Sequence, residues 1–282
     1  MNIGNYLNQL SKAIQLRKYS HNTEESYVAQ IDKFLKYHEK AATKPSEISA
    51  KQIESYLLQI KNSASHRAAL CAIKFFYNEV GHQPRKLDNV PYPRKSTKLP
   101  IVFSQEEIQM LFDVCDNTKH KVVLSLLYST GLRISELLNL KWENIDRSRM
   151  IINVIDAKGG KDRQVMLPEI IIPLLEKYWE EYKSKIYVLN GQFDAQYSET
   201  SVGTTLKKLA RKANIKKRIY PHLLRHCAFT HMVEAGTDLF MVQKIAGHKS
   251  QKTTQIYTHL STNTISRVFS PINNINICSQ RV

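Results

Sequence analysis

Four short segments carry more polar chemistry than a plain core requires. The first is Thr130-Gly131-Leu132-Arg133-Ile134-Ser135-Glu136-Leu137, where Arg133 follows a helix stop inside an apolar neighbourhood. A guanidinium is seldom buried unless an anion or a carboxylate meets it. Taken alone, Arg133 pairs with Glu136 or Glu143. The second is Ala157-Lys158-Gly159-Gly160-Lys161-Asp162-Arg163, whose glycines let backbone approach a ligand; most basic turns are simply solvated. The third, Pro221-His222-Leu223-Leu224-Arg225-His226, opens a helix, where free backbone N–H groups favour a phosphate. His222 and Arg225, three apart, share a helix face. The fourth is Ala246-Gly247-His248, followed nine residues later by Tyr257. A lone tyrosine is usually a half-buried core residue.

The chain around these segments reads as two domains. Its 282 residues can bury two cores. Over residues 1–80, apolar residues recur at helical spacing, with Tyr27, Ile31, Phe34 and Leu35 on one face beside His38. Asn22 with Glu25, and Ser49 with Gln52, look like capping boxes, and a last helix runs from Ser63 to Val80 before Gly81. Together these predict a four-helix unit. Residues 81–100 form a basic linker, with Pro84, Pro91, Pro93 and Pro100 among Arg85, Lys86, Arg94, Lys95 and Lys98. The second domain, over 101–270, opens on Ser104-x-x-Glu107, and a helix through Val122–Tyr128 ends near Gly131. Short β runs at Met150–Asp156 and Arg163–Leu167 flank the glycine turn as a hairpin. The rest reads as helical with stops at Gly191, Gly203, Gly236 and Gly247, and 271–282 is a tail.

Charge narrows the partner. The net charge of +16 is spread as +7 over residues 1–95 and +9 over 96–282, which favours a polyanion gripped by two folded pieces. No apolar run is long enough to span a bilayer, and the start lacks signal-peptide character. Cys71, Cys115, Cys227 and Cys278 stand apart, with no CxxC pair, which fits reduced thiols in cytoplasm. His222 and His226 at i, i+4, with His231 beyond, have the spacing of helical zinc ligands. No HExxH glutamate accompanies them, and Arg225 would stand beside the metal, so no metal is expected.

Taken together, the order Arg…Lys…His-x-x-Arg…Gly-His…Tyr resembles the tyrosine recombinase (phage integrase) family, of the Xer and integrase kind. TGLRISEL, HLLRHCAFTHMVEAG and AGHKSQKTTQIYTH match that family's flanking pattern, and residues 1–80 resemble its SAM-like core-binding domain. The resemblance implies a mainly α-helical protein with a small β-hairpin or sheet in the catalytic domain, its two domains clamping double-stranded DNA. It implies a site of Arg133, Lys158, His222, Arg225, His248 and Tyr257. Tyr257 is then the nucleophile, forming a 3′-phosphotyrosyl ester that a 5′-hydroxyl later attacks, with no ATP, cofactor or small-molecule substrate. Arg133 and Arg225 clamp the non-bridging oxygens, His248 donates to the same phosphate, Lys158 protonates the leaving oxygen and His222 assists proton transfer. Ala157 and Ala246 depart from residues common in the family, and Lys161 competes with Lys158 for its role. A type IB topoisomerase-like enzyme shares the chemistry, and a non-catalytic DNA-binding protein shares the charge. The separate helical domain and the short length favour the recombinase.

The end of the chain is apolar for a terminus, with Ile265, Val268, Phe269, Ile272, Ile275 and Ile277. By resemblance it docks on a neighbouring protomer, within a tetramer holding two duplexes; packing against its own domain is the other reading. Deleting residues from Ser261 onward is expected to abolish strand exchange while sparing single-site binding, as read by gel shift and a two-site recombination assay. Loss of solubility instead would favour the second reading.

Overall fold

The computed structural model describes residues 1–94, 101–155, 162–191, 196–247, 254, 255 and 257. The hairpin turn with Lys158 and Lys161, His248, and the tail after Tyr257 lie outside those residues. The chain divides into two compact units, Met1–Lys98 and Leu99–Val282.

The first unit packs four helices: α1 (Ile3–Leu16), α2 (His21–His38), α3 (Ala50–Leu58) and α4 (Ser63–Glu79). Their apolar stripes meet in one core that includes Leu10, Ile14, Phe34, Leu57, Ile73 and Phe76. Capping places each start. Ser49 and Gln52 form the reciprocal box before α3, with the Ser49 N–H donating to Gln52 Oε1 at 2.7 Å. At α2 the sequence reading is corrected: the cap is Ser20, whose Oγ accepts from the Thr23 N–H, and Asn22 and Glu25 already lie inside the helix. The hydroxyl of Tyr77 donates to the Pro45 carbonyl at 2.8 Å, tying α4 to the turn that leads into α3.

The second unit is built on α6 (Thr118–Thr130), buried on nearly every side from Val122 to Leu127. Against it pack α10 (Pro221–Glu234) and α8 (Ile172–Tyr182), with α5 (Gln105–Asp113), α7 (Ile134–Leu138), α9 (Glu199–Lys212) and α11 (Leu239–Ala246) around them. The Ser104–Glu107 box opens α5, its backbone and side-chain bonds at 2.8 and 3.2 Å. A three-stranded antiparallel sheet, ordered β1 (Ile145–Asp146), β2 (Ile151–Val154) and β3 (Arg163–Met166), buries Ile152, Val154 and Val165. In its register Ile152 faces Val165, and Val154 faces Arg163. The expected hairpin strands are therefore present but shorter, since Met150 adopts a left-handed φ of 54° ahead of β2. The two-residue strand β1 was not legible. Gly203 does not stop a helix: it lies inside α9. Nor does Gly191 end one, because α8 closes at Lys183, itself left-handed. No helix among the described residues is long and apolar enough to cross a membrane.

Gly131 closes α6 in the left-handed region, at φ 61°, and turns the chain toward α7. A Cβ there would sit 2.4 Å from Phe229 Cζ, so α6 and α10 can meet only over a glycine. Gly131→Ala is expected to cost roughly 2–3 kcal/mol through backbone strain and overpacking. A lowered urea midpoint at unchanged denaturant slope would register it.

Candidate active site

The site begins where α6 ends. Gly131 and Leu132 carry the chain to Arg133, which precedes α7 in extended conformation, at φ −69° and ψ 153°. The Glu136 side chain folds back on this helix start. Its Oε2 accepts from the Arg133 N–H at 2.8 Å and its Oε1 from Arg133 Nη1 at 2.7 Å. This is the pairing that the sequence suggested for Arg133 taken alone. The same carboxylate also accepts both terminal nitrogens of Arg163, each at 2.7 Å. Side-chain exposure is 22% for Arg133, 6% for Arg163 and 5% for Glu136. Burial alone would push the Glu136 carboxyl up, but the bonds from Arg163 and Arg133 outweigh it and hold the group at about 2.

Arg225 comes from α10 and is 1% exposed. One Nη donates to the carbonyl of Gly131 and the other to that of Ala246 at 2.6 Å. Its guanidinium lies over the Phe229 ring, 4.7 Å from the centroid. This cation therefore pins the loop leading to Arg133 and the last turn of α11 to one helix. Burial, and after it the charge of Arg133, brings Arg225 down to about 10, so it stays a cation at neutral pH. The last carbonyls of α11 are orphans of the helix, and arginines satisfy them: Arg163 Nε also donates to the Ile245 carbonyl, at 2.7 Å.

Tyr257 packs against Phe229, Val242 and Ala246 and is 2% exposed. Its ring centroid lies 5.4 Å from that of Phe229 and 5.8 Å from that of His226. Burial raises the phenol, while the charges of Arg225 and Arg133 pull it down. Both arginines are therefore within electrostatic reach of the tyrosine despite the long sequence interval. His222, on the first turn of α10, is exposed and meets His226 edge to face at 4.7 Å. His226 is pushed down to about 4 by burial, then by His222 and Arg225, so it is neutral at physiological pH. His231 is occupied elsewhere, its Nδ1 within 2.8 Å of the Tyr128 hydroxyl. Among the described residues no group of three His, Cys, Asp or Glu side chains could hold a metal ion.

Of the six residues singled out in the sequence, the structure brings together Arg133, Arg225 and Tyr257, with His222 at the rim beside His226. Lys158 and His248 lie outside the described residues. Sequence reasoning passed over Arg163, which sits among the three. The one available signal was its place at the head of a strand whose Val165 faces the core, and that says nothing about a buried guanidinium.

A family model described as "Phage integrase family" matches residues 102–264, and one described as "Phage integrase, N-terminal SAM-like domain" matches residues 6–86. A putative integrase/recombinase of Sinorhizobium fredii is 32% identical over 272 residues, covering 93% of this chain and 87% of that protein. The tyrosine recombinase XerD of Oceanobacillus iheyensis is 33% identical over 270 residues, covering 87% and 90%. Among solved structures, XerA recombinase is 30% identical with a TM-score of 0.56, covering 95% of this chain and all of that one.

The shifts make a signed prediction for acid stability. His226 and Glu136 both have folded values below their unfolded ones, so each contributes stability at higher pH that is lost as pH falls. His226 gives way from about 6.5 down to about 4, and Glu136 from about 4.5 down to about 2. Glu136→Gln is expected to cost about 3 kcal/mol at pH 7 and to flatten the lower part of the curve. His226→Gln should flatten the upper part, as read by urea midpoints from pH 8 to 3.

Proposed function

The chain belongs to the phage integrase family, and from that premise we propose that it is a site-specific DNA recombinase of the tyrosine type, cutting and rejoining strands through a 3′-phosphotyrosyl intermediate. The observation that carries the assignment of residues is the meeting of two arginines and a tyrosine from three separate segments: the head of α7, α10 and the chain beyond α11.

The chemistry follows from their types. Attack by the Tyr257 oxygen forms an O–P bond, breaks the bond to the 5′-oxygen and preserves the ester energy for rejoining. A phenol with an ordinary pKa near 10 must release its proton during attack. His222, exposed at the rim, is assigned to help take it. The pentacoordinate phosphorus gathers negative charge on its non-bridging oxygens. Arg133 and Arg225 face it with fixed planar donors, and removing one such donor commonly costs 10²–10³ in rate. Arg225 is dry and immobilised by Gly131 and Ala246, so its charge needs little reorganisation as the transition state forms. His248 is assigned a further hydrogen bond to the phosphate, and Lys158 the protonation of the leaving oxygen. The substrate is double-stranded DNA, and the working assembly is a homotetramer on two sites in the cytoplasm. The positive charge spread along the chain supports the DNA partner.

The test is covalent capture. Incubated with a pool of nicked duplexes randomised around the nick, the protein is expected to form a protease-sensitive adduct, which mass spectrometry places on Tyr257. Adduct formation should persist in excess EDTA. Tyr257→Phe should abolish the adduct and leave binding within about twofold of wild type. An adduct formed by the phenylalanine variant would overturn the assignment of Tyr257.

A further inference from the structure

Arg163 bonds to two of the segments that build the site. Both of its terminal nitrogens hold the Glu136 carboxylate, and Glu136 in turn grips the backbone and side chain of Arg133. Its Nε donates to the Ile245 carbonyl in the last turn of α11. Gly247, the residue before His248, is left-handed at φ 61°, and a Cβ on it would lie 3.0 Å from Arg163 Cδ. The α11 terminus thus closes directly over the arginine stem, and glycine at 247 is what permits the approach.

We propose that Arg163 is a positioning residue for phosphate activation: it fixes the orientation of Arg133 through Glu136, and the end of α11 up to Gly247 through the Ile245 carbonyl. The inference rests on the recombinase reading above. Its chemistry is that of a three-way clamp. A planar guanidinium offers its two terminal N–H groups to one carboxylate while its Nε–H reaches a carbonyl at an angle. A lysine at 163 keeps the charge but has one nitrogen, so it cannot serve Glu136 and Ile245 together. Misplacement of reacting groups by about 1 Å costs on the order of 10² in rate.

A fault in placing Arg133 has a signature that general loosening lacks. Arg133 is assigned to charge at the non-bridging oxygens, so its placement should matter less when one of those oxygens is replaced by a methyl group. A fault transmitted to the hairpin that carries Lys158 would instead be relieved by sulfur in place of the leaving 5′-oxygen, because a thiolate needs no acid. The experiment compares wild type, Arg163→Lys and Gly247→Ala, the last crowding the arginine without removing it. Single-turnover adduct formation is followed on the duplex recovered from the capture pool, made with natural phosphate, with methylphosphonate or with bridging sulfur. Both variants should melt within a few degrees of wild type and lose about 10²-fold on natural phosphate. The loss should shrink to less than about tenfold on methylphosphonate and persist on bridging sulfur. Equal losses on all three substrates, relief by sulfur alone, or an unimpaired Arg163→Lys protein would each overturn the proposal. Should Arg163→Lys fail to fold, Gly247→Ala decides by the same ratios. Absence of any adduct from wild type would instead defeat the recombinase reading itself, and the role of Arg163 with it.

Discussion

One carboxylate holds the catalytic unit's polar centre together. Glu136 is buried, ionised and shared by two guanidiniums from different parts of the chain. Removing a charge from water is expensive, and a buried pair of this kind is not by itself a strong source of stability. Its consequence is specificity of arrangement. With every carboxylate oxygen occupied, Arg133 has one seat, at the head of α7, and Arg163 has another between β3 and α11. Removing one partner leaves a desolvated charge, so the network stands or falls as a unit.

The centre remains over-supplied with positive charge. Arg133, Arg163 and Arg225 face one buried carboxylate, and the two flanking arginines lower the pKa of Arg225 further than burial alone would. Such an excess opposes folding unless it is pinned by structure, and here helix ends do the pinning. The carbonyls of Gly131, Ile245 and Ala246 lie at the closing turns of α6 and α11, where peptide dipoles present partial negative charge. Helix C-termini hold the cations in place without neutralising them. What remains is a dry, preoriented field suited to a substrate that grows more anionic as it reacts.

Which parts of this were legible in the sequence follows from the range of the interactions involved. The caps at Ser49 and Ser104 involve residues three apart, and they were readable because the whole interaction lies inside one turn. The Asn22–Glu25 pair fits the same pattern and failed, since Ser20 offers an equivalent oxygen two residues earlier. Gly203 failed in the opposite sense: helix α9 has enough burial through Val202, Leu206 and Leu209 to carry a glycine in its interior. The two-residue strand β1 exists only because β2 offers it an edge. Arg133, Arg225 and Tyr257 were legible through the order of residue types that the family shares, not through any local rule. Arg163 belongs to no such order and pairs with a residue 27 positions away, so nothing short of the fold could expose it.

The tyrosine illustrates how burial and charge divide the work at such a centre. Packing against Phe229 and Val242 raises the phenol and keeps it protonated, while Arg225 and Arg133 act in the opposite direction. The balance matters more than either influence. A phenol exposed to water would lose the orientation that packing imposes, and one buried without nearby cations would pay the full desolvation cost as its oxygen gained negative charge. Beside two arginines, that cost is offset where the charge develops. In the reaction proposed above, the guanidiniums assigned to the phosphate's charge therefore also ease the departure of the proton from Tyr257. This coupling explains why Tyr257 and Arg225 converge on the surroundings of Phe229, whose close approach to Gly131 demands the glycine there.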